Sequence, residues 1–206
     1  MSEVLAIQQP QRKKLSEMLA ERFNVDQKQF IDSVKATCFN KQEVSNEQFL
    51  QFLVVTNEYN LNPFTREIFA FPGKSGGIQP IVSIDGWLRI INSHPQFDGM
   101  EFEDKLDNGK LIAVTCKMYR KDRTHPTEVT EYMAECLRNT DTWKTWPARM
   151  LRHKATIQAA RYAFGFSGIY DQDEVERAAP IPMGNAVVVN NDVEELEKEL
   201  EAEASK

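Results

Sequence analysis

Leu15, Met18, Leu19 and Phe23 recur at intervals of three and four, the period of an amphipathic helix. Asp26-x-x-Gln29 has the form of a capping box and predicts a second helix, with Phe30, Ile31, Val34 and Cys38 on one face. Ser45-x-x-Gln48 predicts a third, burying Phe49, Phe52, Leu53 and Tyr59 and ending before Pro63. The period then shortens. Residues 67–71 and 78–83 read as strands joined by Gly73-Lys74-Ser75-Gly76-Gly77. Asp85 caps a short helix carrying Trp87, Leu88, Ile90 and Ile91, which stops before Pro95. Residues 97–104 and 111–119 form a hairpin, because Asp107-Asn108-Gly109 supplies an Asn-Gly type I′ turn. Ile112, Val114, Cys116 and Met118 alternate towards the core. A basic connection, Arg120-Lys121-Asp122-Arg123-Thr124-His125-Pro126, leads to a third strand at 128–133. A long helix over 147–164 and a shorter one over 171–178 complete the order. The pattern predicts an α+β fold: a largely antiparallel sheet, made of a hairpin and a three-stranded meander, packed with helices.

The organisation read from this pattern is a core over 1–178, a Pro- and Asn-rich linker over 179–192, and a charged helical tail over 193–206 in which Leu196 and Leu200 are the large apolar pair. With 206 residues, 41% of them hydrophobic and 27% charged, the chain can bury a core without staples. Aliphatic runs such as Leu53-Val54-Val55 are far short of the ~20 residues of a membrane span. The first residues lack a basic stretch followed by an apolar one, so neither a membrane nor a secretory route is expected. Cys38, Cys116 and Cys136 show no CxxC spacing, which predicts buried thiols in a reducing, cytoplasmic compartment.

The net charge of −6 argues against a polyanionic partner until it is partitioned. Residues 171–206 hold 11 acidic and 3 basic residues, whereas 1–170 hold 20 acidic and 22 basic. Within 142–170 there is no Asp or Glu, yet Lys144, Arg149, Arg152, Lys154 and Arg161 are present. Such asymmetry points to polyanion binding. At 100° per residue, Trp146, Met150, Ile157 and Phe164 align as a core stripe, and Lys154, Gln158 and Arg161 form a polar stripe beside it. Lys154 and Arg161 are about 10 Å apart along the axis, enough to span several phosphates. Arg149 and Arg152 project on the other flank, and Ala155, Ala159, Ala160 and Ala163 admit close backbones. An amphipathic core helix with ordinary surface cations fits the same pattern; the missing carboxylates weigh against it.

Three other patterns carry less. Gly73-Lys74-Ser75 resembles the end of a phosphate-binding loop, but Ile68 stands where the upstream glycine is needed, and the segment reads as a hairpin tip. Its use would be Lys74 against a phosphate backbone. His94, His125 and His153 are too scattered for a local metal motif. Asp98, Glu101, Glu103, Asp104 and Asp107 imitate a magnesium site but are explained by an exposed hairpin edge.

Several blocks go beyond pattern. Asn62-Pro63-Phe64-Thr65-Arg66-Glu67-Ile68-Phe69-Ala70-Phe71-Pro72, Asp85-Gly86-Trp87, Gln96-Phe97-Asp98-Gly99-Met100, Tyr119-Arg120-Lys121-Asp122-Arg123 and the stretch from Arg149 to Asp171 resemble, in order, the Bet family within the RecT/Redβ superfamily of phage single-strand annealing proteins. The resemblance covers roughly residues 15–178. It implies an ATP-independent recombinase, not an enzyme, that binds single-stranded DNA, anneals it to a complement and holds the duplex in a groove along a ring or helical filament of its own copies. It implies no cofactor; magnesium stimulation is not derivable from the residues. By resemblance, DNA contact is carried onto Arg149, Arg152, Lys154, Gln158 and Arg161, and further onto Arg66, Lys74 and Lys121. Ala148 departs from the family pattern, which has a lysine there, and the stretch between Cys136 and Trp143 is shorter and less basic. The family also recruits a phage exonuclease and a host single-strand-binding protein through a C-terminal helical domain. After residue 178 this sequence reads as a linker and an acidic helix, so those partners are not carried over. Two other classes stay open: a metal-dependent nuclease using the carboxylates of 98–107, and a structural oligomer that meets DNA only through a partner.

Overall fold

The computed structural model describes residues 13–39, 44–72 and 78–177. Three helices come first: α1 (Leu15–Arg22), α2 (Gln27–Cys38) and α3 (Asn46–Glu58). The antiparallel pair β1 (Ile68–Pro72) and β2 (Ile78–Val82) follows, then α4 (Ile84–Ser93). A second sheet is the antiparallel meander β3 (Phe97–Asp107), β4 (Lys110–Arg120) and β5 (Thr127–Tyr132), with β4 in the middle. Then come α5 (Met133–Cys136), α6 (Asp141–Thr145), the long α7 (Pro147–Phe164) and α8 (Gln172–Arg177). This is the expected α+β fold, with the helices and both sheets in the expected order. Lys74 and the proposed linker and tail over 179–206 lie outside the described residues.

Local chemistry accounts for most boundaries. Asp26 accepts the N–H groups of Lys28 and Gln29 at the start of α2. Ser45 and Gln48 close a reciprocal capping box on α3. The cap of α4 is Ser83 rather than the expected Asp85: Ser83 is the last extended residue, accepts the Gly86 N–H at 3.2 Å, and donates to the Glu67 carbonyl. Asp85 falls in the first turn, where the positive end of the helix dipole favours a negative charge. Gly86 lets α4 lie against β1, since a Cβ there would stand 2.3 Å from the Glu67 carbonyl oxygen. In the hairpin, Asn108 (φ 48°) and Gly109 (φ 76°) are both left-handed, as a type I′ turn requires. The strands run on past the expected ends, to Asp107 and from Lys110.

The core joins α1–α3, β1, β2 and α4 to the meander through α7. Trp87, Trp143, Phe30, Phe39 and Phe52 are fully enclosed, each stabilising the fold by about 1.5–3 kcal/mol or more. On β4, Val114, Cys116 and Met118 are buried as expected; Ala113, of opposite parity, is also buried, so the strand is covered on both faces at that point. Tyr59 is only half-buried, because its hydroxyl reaches out to donate to the Ser167 carbonyl. The short helices α5 and α6 were not expected: four and five residues are too few to display a period. Burial pushes the Cys38 and Cys116 thiols up to about 12, which keeps them protonated. Among the described residues no helix is long and apolar enough to cross a membrane.

A parallel bridge between Ile81 and Tyr170, with the Val82 N–H donating to the Tyr170 carbonyl, pulls the chain after α7 back onto β2. That return decides the environment of the long helix.

Candidate nucleic-acid interface

Pro147 opens α7 at its first position, where its missing N–H costs nothing. The helix lies against β4 and β5, and Ala155, Ala159, Ala160 and Ala163 are all buried, so small side chains set a close approach. Ile157 is buried as the core stripe requires; Met150 and Phe164 are half-buried. Trp146 departs from the stripe. It is the N-cap, with ψ 52°, not a helical residue, and half its surface is exposed. The helical wheel does not apply to a residue that precedes the helix.

The expected polar stripe exists, but it is occupied. Lys154 keeps only 9% of its surface exposed. Its Nζ donates to both carboxylate oxygens of Asp171, at 2.6 and 2.7 Å, and lies 2.9 Å from Asp173. Asp173 also accepts from the Trp143 indole N–H at 3.1 Å. Arg161 forms a forked pair with Glu174, donates to the Ile169 carbonyl at 2.7 Å, and lies with its guanidinium carbon 5.2 Å from the Trp87 ring centre. Gln158 donates to Glu174 at 3.3 Å. Asp171 and Glu174 accept each other's backbone N–H, at 3.1 and 3.0 Å, in the reciprocal form of a capping box for α8. Burial lifts the Asp171 carboxyl above its ordinary range, with Lys154 pulling against it. Burial pushes Glu174 up too, but the Arg161 hydrogen bond and the Asp171 N–H overcome it and hold Glu174 below its ordinary range.

The expected polar stripe of Lys154, Gln158 and Arg161 is thus present, with each of its side chains engaged by a carboxylate of 171–174. The acid-free window of 142–170 stops one residue short of the carboxylates that neutralise it. Asp171, Asp173 and Glu174, counted with an acidic tail by position, belong to the core by contact. The signal was legible: Asp171-x-x-Glu174 is itself a capping-box pattern.

The other flank is open. Arg149 is exposed, with its guanidinium carbon 4.5 Å from the Trp146 ring centre. Arg152 is 48% exposed along its side chain and makes a two-bond pair with Asp104 of β3, the shorter bond 2.6 Å. Its guanidinium also approaches Phe102, which is 39% exposed. Ile84 and Leu88 of α4, Met100 and Phe102 of β3, and Trp146, Arg149, Arg152, His153 and Thr156 enclose a groove of about 440 Å³. Burial and the neighbouring Arg149 lower the His153 pKa, which keeps it neutral at pH 7.

Among the described residues, the other expected cations, Arg66 and Lys121, do not line this groove. Arg66 is exposed between α3 and β1, over Phe69. Lys121 is exposed beyond β4. The carboxylates of 98–107 are distributed along the hairpin, where Glu101 accepts from Tyr119, Glu103 pairs with Lys117 and Asp104 pairs with Arg152. Among the described residues no three His, Cys, Asp or Glu side chains converge as metal ligands. β1 is followed in the described residues by its antiparallel partner β2, whereas a nucleotide-binding loop leads from a strand into a helix.

A family model described as the RecT family matches residues 25–184. The chain is also 51% identical over 176 residues to a protein named Recombination protein bet from Escherichia phage lambda, in an alignment covering 79% of this chain. The chain spans 65% of that relative's length.

Proposed function

The chain belongs to the RecT family, and on that premise we propose that it is an ATP-independent single-strand annealing protein of phage-type recombination. It binds single-stranded DNA, promotes pairing with a complement, and works as an oligomer, in a ring or helical filament, in the bacterial cytoplasm. The observation that carries the reading is family membership across residues 25–184, joined to an open cationic and aromatic groove beside α7. Annealing needs no bond made or broken by the protein. It needs phosphates neutralised, a strand held extended, and base edges left for the complement.

In this reading Arg149 and Arg152 meet the strand first, and Arg66, Lys74 and Lys121 extend the contact. Lys154, Gln158 and Arg161 meet a phosphate only where the strand displaces Asp171, Asp173 and Glu174; otherwise they hold the wall behind the groove. Bound cations and a bound strand trade places, so affinity falls steeply with salt. The test is annealing of two complementary oligonucleotides by the purified chain, with and without ATP and with EDTA. Intact duplex formed at equal rates in all three supports the proposal. Dependence on ATP hydrolysis, or shortened products that vanish with EDTA, overturns it.

A further inference from the structure

Of the three tryptophans, Trp87 and Trp143 are fully buried and hydrogen-bond or pack inside the core. Trp146 alone is exposed, at 51%. It lines the 440 Å³ groove together with a second exposed ring, Phe102, 39% exposed. Each ring has a guanidinium beside it, Arg149 at 4.5 Å from the Trp146 centre and Arg152 at 6.0 Å from that of Phe102. Leu88 and Met100 supply apolar lining to the same groove. Among the described residues no carboxylate lies within ion-pair distance of Arg149, so one cation of the rim is uncompensated; Asp104 engages the other.

Resting on the annealing function proposed above, we infer that this groove is a base-stacking site, in which Trp146 and Phe102 receive the flat faces of unpaired nucleobases while Arg149 and Arg152 engage the adjoining phosphates. The match is chemical. An unpaired nucleobase offers an apolar face and sits one linkage from a negative charge; the groove offers aromatic faces with a cation next to each. Every base has a π-face, so the site is indifferent to sequence, as annealing of arbitrary complements demands. A stacked base keeps its pairing edge directed away from the ring. The site thus differs in kind from a row of phosphate contacts: it senses whether bases are present and unpaired.

The burial of Trp87 and Trp143 gives a direct readout, because quenching of exposed tryptophan fluorescence on binding reports Trp146. The experiment uses the full chain with oligothymidylate and with an abasic oligonucleotide of equal length, comparing wild type, Trp146→Ala and Trp146→Phe. Stacking predicts quenching by oligothymidylate and not by the abasic strand. Trp146→Ala should bind oligothymidylate about tenfold more weakly, the lower part of the range for one lost stack. It should bind the abasic strand as wild type does, and Trp146→Phe should recover most of the loss. Equal losses on both strands, equal quenching by both, or a changed oligomeric state of Trp146→Ala with unchanged affinity would overturn the inference, the last by showing that the groove seats protein. Failure of the wild-type chain to bind either strand would instead overturn the annealing function on which the inference rests.

Discussion

Lys154→Met removes an ammonium that is enclosed by two carboxylates and leaves its hydrocarbon stem in place. The side chains of Lys154, Asp171 and Asp173 are 11%, 11% and 10% exposed, so solvent screens little of the change. Removing one partner of a buried ion pair costs about 3–5 kcal/mol, because the charge left behind has been desolvated without compensation. For a chain of this size each kcal/mol lowers Tm by about 2–4 °C, which predicts a fall of roughly 6–20 °C. Thermal melting by circular dichroism, at one protein concentration because oligomers shift Tm by mass action, measures it. The double change Lys154→Met with Asp171→Asn should recover at least half of the loss, since Asp173 keeps the Trp143 indole N–H as a donor. Refutation would take a specific form. If Lys154→Met melts within 2 °C of wild type, in the range of a surface substitution, while its affinity for single-stranded DNA drops, the ammonium faces phosphate in solution and not Asp171.

Changing both Arg149 and Arg152 to Gln should weaken oligonucleotide binding without regard to base sequence and reduce the salt slope of log K by about two, one per lost phosphate contact; a loss confined to certain sequences would contradict backbone contact. Gly86→Ala places a methyl group against the Glu67 carbonyl and Val82 and should destabilise by about 1–3 kcal/mol in urea unfolding. Glu174 titrates below its ordinary value of 4.5, so its contribution is present above that pH and lost as pH falls through the depressed folded value. Glu174→Gln should therefore flatten the acid limb of the stability–pH curve, an effect opposite in sign to the raised Asp171, whose contribution is present below the ordinary carboxylate pKa and lost as pH rises through the folded value.

The elements were legible because their signals are local. A capping box at Ser45, an Asn-Gly turn and the limits of α7 set by Pro147 each depend on a few adjacent residues. The alternation on β4 placed Val114, Cys116 and Met118 correctly for the same reason. The fate of the cations on α7 was not legible from the helix, because it depends on where the chain goes afterwards. Counting charge in a sequence window put Arg161 in an acid-free segment; Glu174 lies 13 residues away in sequence and within bonding distance in space. Trp146 was misplaced for a simpler reason: a residue before an N1 proline does not take the helical angle.

A lysine or arginine serves a phosphate readily only if its own chain has not buried it against a carboxylate; an exposed pair such as Arg152 with Asp104 is weak enough to exchange. Along α7 that condition separates two flanks of one helix. On one, Asp171, Asp173 and Glu174 satisfy Lys154 and Arg161 and in doing so fasten the segment that bridges to β2 through Tyr170. On the other, Arg149 and Arg152 border a groove whose walls are α4 and β3. The fastened flank gives the open one its rigidity, because α7 cannot turn or slide without breaking buried charge pairs. In the annealing function proposed above, a surface that holds any DNA sequence in one extended geometry needs that fixed spacing of cations and rings more than it needs additional positive charge. The internal carboxylates are consistent with such a surface. They lower the net charge of the fold while leaving the exposed guanidiniums where a strand can reach them.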